Sequence, residues 1–370
     1  MGILGKMESR WTAPIVFAIA AFVIGCGGAG GGSITGESSG GSGLSTGGGT
    51  STGGSSSGGT STGGSTTGGT TGGSTGGVPD LGANANLNGR QLFPSANAWN
   101  TPIDTEPVDP NSDNLIASIG LTDRFHPDFG ANWNGGPFGI PYVVVSGSQA
   151  KLPVAFDYAD ESDPGPYPIP PNPPIEGGAS SSGDRHILIL DRDNGMLYEL
   201  FAAYPPGTNG PTWSAGSGAI WNIDSNALRP AGWTSADAAG LPILPGLVRY
   251  DEVVLRGEIN HALRFTAAQT RRAYVHPARH FASSSTDPNR PPMGMRVRLK
   301  ADFDISGYPP SAQVILRALK KYGMILADNG SDWYVSGAPD ARWNDDELNT
   351  LKQLRGSNFE VVRMGPITTG

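Results

Sequence analysis

The sequence predicts a mainly β domain, a β-sandwich or jelly roll with a few helices chiefly near the C-terminus. Apolar or alternating runs of strand length recur between residues 142 and 362, and Gly, Pro, Asn or Asp interrupts many of the gaps between them. Spacing of that kind belongs to sheets packed face to face rather than to alternating strands and helices.

In chain order the predicted strands lie at residues 142–145, 153–158, 186–190, 197–202, 219–223, 262–266, 273–276, 295–299, 324–327 and 360–362. The best-defined pair flanks the turn Asp191-Arg192-Asp193-Asn194-Gly195. Pairing Asp191 with Met196 sets Leu190 opposite Leu197, Leu188 opposite Glu199 and His186 opposite Phe201 on one sheet face, because strand side chains alternate. The turn resembles an Asp-x-Asp-x-Gly calcium loop, but it lacks the downstream bidentate Glu and reads as an ordinary Asn-Gly turn. Pro309-Pro310-Ser311 starts a helix whose Val314, Ile315, Leu316, Leu319 and Tyr322 point largely inward, and Gly323 caps its end. Asn344 caps a second helix, with Asp345, Asp346 and Glu347 in its first turn and Gly356 as its stop. The proline-rich run 164–178 reads as a surface loop across one end of the sandwich, where sites are often built.

The N-terminal quarter has a different character. Residues 1–25 form a lipoprotein signal peptide: Lys6 and Arg10 precede a short apolar run that ends in Val23-Ile24-Gly25-Cys26, a tetrad resembling the lipobox. The run is too short to span a bilayer of about 30 Å. Cys26, the only cysteine, is the predicted lipidation site. Residues 26–77 are then a Gly/Ser/Thr-rich tether that cannot bury enough apolar surface to fold, with a reach on the order of 40 Å. Residues 78–370 form one globular β-rich domain. It carries the whole formal charge of −8, since the two basic and two acidic side chains before it cancel. No clustered basic surface marks it for nucleic acid, and membrane contact is expected through the lipid alone. The predicted location is the bacterial cell envelope, and the predicted state a monomer.

Candidate chemistry is scattered. His186 and Glu199 are diagonal neighbours on a sheet face otherwise made of Leu and Phe, an expensive arrangement if it served packing alone. Burial would raise the Glu199 carboxyl, which makes it the candidate general acid. His261 falls on the apolar face of its strand, opposite the side shared by Asn260 and Arg264, and is a candidate base. Asp328, in the turn Asp328-Asn329-Gly330-Ser331-Asp332-Trp333, adds a carboxylate beside an aromatic ring, as sugar sites do. Trp213, Trp333 and Arg264 are the candidate substrate-binding side chains. His186, His261 and His280 could also converge on a metal. Asp157, Asp160, Glu161 and Asp163 crowd one strand end, where Ca²⁺ would relieve their repulsion; otherwise no cofactor is expected. Within residues 78–370 there is no Gly-x-Ser-x-Gly elbow, Walker loop, dinucleotide fingerprint or His-Glu-x-x-His.

The order of Asp184-Arg185-His186, Leu197-Tyr198-Glu199-Leu200-Phe201, Trp213-Ser214-Ala215-Gly216, Gly240-Leu241-Pro242, Gly246-Leu247, Glu258-Ile259-Asn260-His261-Ala262-Leu263 and Tyr322-Gly323 to Asp328-Asn329-Gly330 resembles a group of secreted bacterial proteins, mostly described as hypothetical. The resemblance spans residues 95–363 and implies secretion and a single β-rich unit, with no assigned activity. Extracellular tethering, eight Trp and strand-borne carboxylates and imidazoles favour a carbohydrate-active enzyme, a glycosidase or polysaccharide lyase acting on polysaccharide or envelope glycan. The alternative is a non-catalytic surface protein that binds glycan or another envelope component.

Overall fold

The computed structural model describes residues 76–370, which belong to one folded unit. The signal peptide, Cys26 and the tether up to residue 75 lie outside the described residues. In chain order the elements begin with β1 (Gly82–Ala83), α1 (Ser112–Ile119), β2 (His126–Asp128), β3 (Gly130–Trp133), β4 (Gly136–Phe138), β5 (Tyr142–Val145) and β6 (Val154–Phe156). The middle of the chain supplies β7 (Ile187–Asp191), β8 (Met196–Phe201), β9 (Trp213–Ala215), β10 (Ser217–Asn222), β11 (Leu263–Ala267), β12 (Ala273–Val275) and β13 (Arg296–Leu299). The last part holds α2 (Pro310–Lys321), β14 (Met324–Asn329), β15 (Tyr334–Ser336), α3 (Asp345–Asn349), β16 (Phe359–Val361) and β17 (Ile367–Thr369). No helix among the described residues is long and apolar enough to cross a membrane.

The domain is mainly β, as the strand pattern predicts. Two sheets dominate, one ordered β1-β5-β7-β8-β10 and the other β16-β13-β14-β11-β15-β2. The β7–β8 hairpin has the predicted register, with Asp191 opposite Met196, Leu190 opposite Leu197 and Leu188 opposite Glu199. Its turn is closed by Asp191, whose carboxylate accepts from the Asn194 backbone N–H at 3.1 Å and side-chain amide at 2.8 Å. Gly195 completes it at φ +63°, a conformation that costs glycine no Cβ clash.

Every residue of β7 is buried, because both faces of this sheet are covered. Leu188 and Leu190 enter the main core, together with Leu263 and Phe265 of the six-stranded sheet. Ile187 and Ile189 face a second core built with Tyr167, Ile169, Trp213 and Ala215. The proline-rich loop is therefore packed over an apolar sheet face, and it is anchored there by Tyr167, whose hydroxyl donates to the Asp163 carbonyl at 2.7 Å. Both large sheets contain parallel pairs, β5 with β7 and β11 with β14, an order that strand spacing alone does not reveal. α2 begins at Pro310 as predicted, and α3 is capped by the Asn344 side chain, which accepts from Glu347 N–H at 3.3 Å. α3 tightens into a 3₁₀ turn at Thr350 rather than running on to Gly356. Two helical segments have no counterpart in the sequence reading: α1, and a π-turn at Asp251–Arg256.

Candidate active site

One polar cluster joins the two sheets. Glu176 comes from the proline-rich loop, Asp184 and His186 from the entry to β7, and Asp237 from the long connection after β10. Arg264 lies on β11 and Asp328 on β14. Arg185 shapes the entry: its backbone is left-handed at φ +53°, and its buried guanidinium donates to the carbonyls of Ala179, Ser181 and Ala203 at 2.8–3.0 Å. That fixes the loop ahead of His186. His186 in turn meets a Glu176 carboxylate oxygen at 2.6 Å through Nδ1, and the Ala236 carbonyl at 2.9 Å through Nε2.

Two acceptors around one imidazole favour the doubly protonated ring. Burial works against its charge, but the Glu176 carboxylate and its hydrogen bond outweigh that and raise His186 to about 9. The same pairing acts in reverse on Glu176: burial would raise it, and the His186 charge and hydrogen bonds hold it below the usual carboxylate range. Glu176 is therefore ionised at neutral pH and keeps 24 % of its side chain exposed.

Arg264 is the second fixed cation. Its Nε and Nη2 fork onto Asp237 at 2.8 and 3.3 Å, Nη2 also reaches Asp328 at 3.0 Å, and Nη1 donates to Ser336 Oγ at 2.6 Å. Two carboxylates thus share one guanidinium. Asp237 takes the bidentate half and is buried, whereas Asp328 has one bond to Arg264 and 20 % side-chain exposure. Burial first, and then the Asp237 charge, push Asp328 up to about 7. Near neutral pH a group able to donate a proton, Asp328, is bonded to Arg264, and an ionised acceptor, Glu176, feels the charge of the same arginine. Environments that drive two carboxylates apart in this way are the pattern of acid/base assignment.

Glu176, Asp184 and His186 also bring one ligand atom each within 4.8 Å of one another, the only such group among the described residues. The 2.6 Å contact of His186 Nδ1 with Glu176 is a hydrogen-bond length. Two donors on one Zn²⁺ at about 2.0–2.1 Å stand farther apart than that, so the pair as arranged holds a proton rather than a metal.

The predicted residues divide. His186, Asp328 and Arg264 meet in this cluster. Glu199 lies beneath it, wholly buried, with its carboxylate accepting from the N–H groups of Ile243 at 2.8 Å and Leu244 at 2.9 Å. It caps the 3₁₀ turn Leu244–Gly246, which packs so closely that a Cβ on Gly246 would meet Arg264 Cβ at 2.8 Å. Burial raises Glu199 to about 7, as expected for a carboxyl on an apolar face, but both its oxygens are taken by backbone N–H groups and no solvent reaches it, which fits a structural role better than that of general acid. His261 is elsewhere, paired through Nε2 with Glu252 at 3.1–3.2 Å. His280 Nδ1 donates to the Ala238 carbonyl at 2.8 Å, so the three histidines do not gather on a metal among the described residues.

Trp213 and Trp333 are not stacking platforms. Trp213 is buried in the second core, and Trp333 lies between Phe265 and Phe359 with its Nε1 donating to the Gly120 carbonyl at 2.9 Å. Two of the four carboxylates expected to favour Ca²⁺ are engaged by protein groups. Arg229 supplies the positive charge there, meeting Asp163 at 2.5 Å and the Glu161 carbonyl at 2.8 Å, while the Glu161 carboxylate accepts from Thr234 N–H. Asp157 and Asp160 join no ligand group among the described residues.

Glu176, Asp184 and Asp237 are the members of the site that the sequence reading missed. Glu176 closes the proline-rich loop and Asp184 precedes His186 by two residues, so their proximity to a candidate was the available signal. Comparison with known families, curated proteins and solved structures finds no match to this chain.

Proposed function

We propose that the protein is a carbohydrate-active enzyme, a glycosidase or polysaccharide lyase, held at the bacterial cell envelope through lipidated Cys26. Asp328 is its proton donor and Glu176 its acceptor. The observation that carries this reading is the opposite displacement of the two carboxyls, one up to about 7 and one downward, within a single charge network. In a hydrolysis, Asp328 protonates the departing glycosidic oxygen while Glu176 takes a proton from the attacking water. In an elimination, Glu176 takes the ring proton beside a uronate carboxylate, and Asp328 again protonates the leaving oxygen. His186 is a positioning residue that keeps Glu176 ionised, and at the floor Arg264 opposes the burial that raises Asp237.

A second reading has one observation in its favour. Trp133 is 72 % exposed on the β3–β4 hairpin, with the Phe138 ring 6.3 Å away, and such an aromatic pair suits a non-catalytic glycan-binding surface. The test screens wild type, Asp328→Asn and Glu176→Gln against acidic and neutral polysaccharides, reading reducing-end release and unsaturated-uronate absorbance. Turnover by wild type, lost in both variants with folding intact, is the expected result. Wild type that binds a glycan of the panel but turns over none replaces the enzyme with the binding protein.

A further inference from the structure

Away from this cluster, the π-turn Asp251–Arg256 forms one wall of a cavity of about 290 Å³. Its lining includes Arg90, Arg249, Glu252, Arg256, Asn260 and His261. π-turns are rare and recur at functional sites, since the extra residue disrupts helix hydrogen bonding and persists only where it is useful. This one is closed by Gly257 in the left-handed conformation at φ +72°.

Arg249 is 3 % exposed and pairs through Nη2 with Glu252 at 2.5 Å, but its Nε and Nη1 have no hydrogen-bond partner. Asp251 Oδ1, at the start of the turn, stands 3.5 Å from Arg249 Nε as an ion pair, which leaves Arg249 Nη1 as the buried donor without a partner. Buried donors left unsatisfied are costly, and a missing bound group is a standard explanation. The charge agrees. Arg90 is engaged by Asp224 at 2.7 Å and Arg249 by Glu252 and Asp251, so Arg256 supplies the excess positive charge of a lining whose one carboxylate is Glu252, in a domain whose overall charge is −8. Arg256 lies at the rim over Gly89, where a Cβ would come within 2.9 Å of its Nη1.

We infer that this cavity binds the oxyanion of a small molecule, a carboxylate or phosphate, gripped by Arg249 and Arg256 with Asn260 and His261 beside it. Planar guanidinium groups suit both oxyanions because they donate two parallel hydrogen bonds. The inference does not rest on glycan turnover, which depends on Asp328 and Glu176. The test is calorimetric titration of the full mature chain with sodium glucuronate, with inorganic phosphate, and with glucose as the neutral control. Saturable binding of at least one oxyanion and none of glucose is expected, with glucuronate alone indicating an acidic sugar and phosphate alone a phosphorylated ligand. Arg256→Gln and Arg249→Lys should each weaken it by about tenfold or more, the loss of one charge-assisted hydrogen bond. Should Arg249→Lys fail to fold, the rim variant Arg256→Gln, checked by its melting curve, decides alone. Absence of binding by both oxyanions at millimolar concentration, or unchanged affinity in the folded variants, overturns the inference.

Discussion

His186 with Glu176 and His261 with Glu252 are the same two groups in contact, set in different company. Glu176 meets His186 at 2.6 Å, and its other charged neighbours act from farther away. Glu252 is shared: Arg249 stands 2.5 Å from it and His261 3.1 Å. Burial raises Glu252 as it would Glu176, but Arg249 dominates the opposing attraction and holds it low. In the first region the imidazolium is committed to keeping one carboxylate ionised, beside a second carboxylate that retains its proton. In the second, Arg249 has already satisfied the carboxylate, and Arg256 adds a further positive charge to the cavity lining. The company around the pair, more than the pair itself, separates the proposed proton-transfer site from the proposed anion site.

The sharpest way to break this comparison is to remove the members of the first region in turn. Asp328→Asn and Glu176→Gln should each lower turnover on the active polysaccharide by about 10²–10⁴-fold, the scale of general acid or base catalysis. Glu252→Gln, in the second region, should leave turnover per folded molecule near wild type, and a collapse there would erase the distinction. Next in size is Glu199→Gln. Replacing one carboxylate oxygen with an amide sets a donor against the Ile243 and Leu244 N–H groups, so a loss of about 1–3 kcal/mol is expected in denaturant unfolding, with specific activity unchanged. Loss of activity without loss of stability would return Glu199 to the chemistry.

The pH dependence separates the regions further. Asp328 has a folded value of about 7 against an ordinary 3.8, so it binds its proton more tightly in the folded state. The stability it contributes is present below 3.8 and is lost as pH rises through about 7. His186, raised from 6.5 to about 9, loses its contribution later, as pH rises through about 9. Melting temperature should therefore fall less steeply between pH 5 and 8 in Asp328→Asn than in wild type. Equal slopes would mean that Asp328 titrates normally. Turnover should decline above about pH 7 as the donor ionises. The smallest expected effect is that of Trp133→Ala. Stability should stay within about 0.5 kcal/mol, because an exposed ring is removed, and only a glycan-binding role would raise KM.

Much of the architecture was legible because it depends on local pattern. The β7–β8 register followed from alternation across Asn194-Gly195, and α2 from the period of Val314, Ile315, Leu316 and Leu319. The site was legible in part. His186, Arg264 and Asp328 carry chemistry that marks them in any sequence, but their partners arrive from afar. Asp237 lies 27 residues before Arg264, and the N–H groups that occupy Glu199 lie 44 and 45 residues after it. No strand or helix period encodes such meetings. Burial misled in the same way for Trp333, whose left-handed backbone at φ +61° turns the ring into the core from a turn that looked exposed.

The parallel pairing of β11 with β14 has a consequence in time. Parallel neighbours cannot be joined by a tight turn, so β12, β13 and α2 intervene before Asp328 comes to lie opposite Thr266. A chain made from its N-terminus therefore possesses Glu176, His186, Asp237 and Arg264 well before Asp328 exists. Until then the proposed acceptor, Glu176, has no proposed donor to work with. The proposed proton donor is the last of the site's residues to be made, so the proposed centre can form only once the chain has been made through β14.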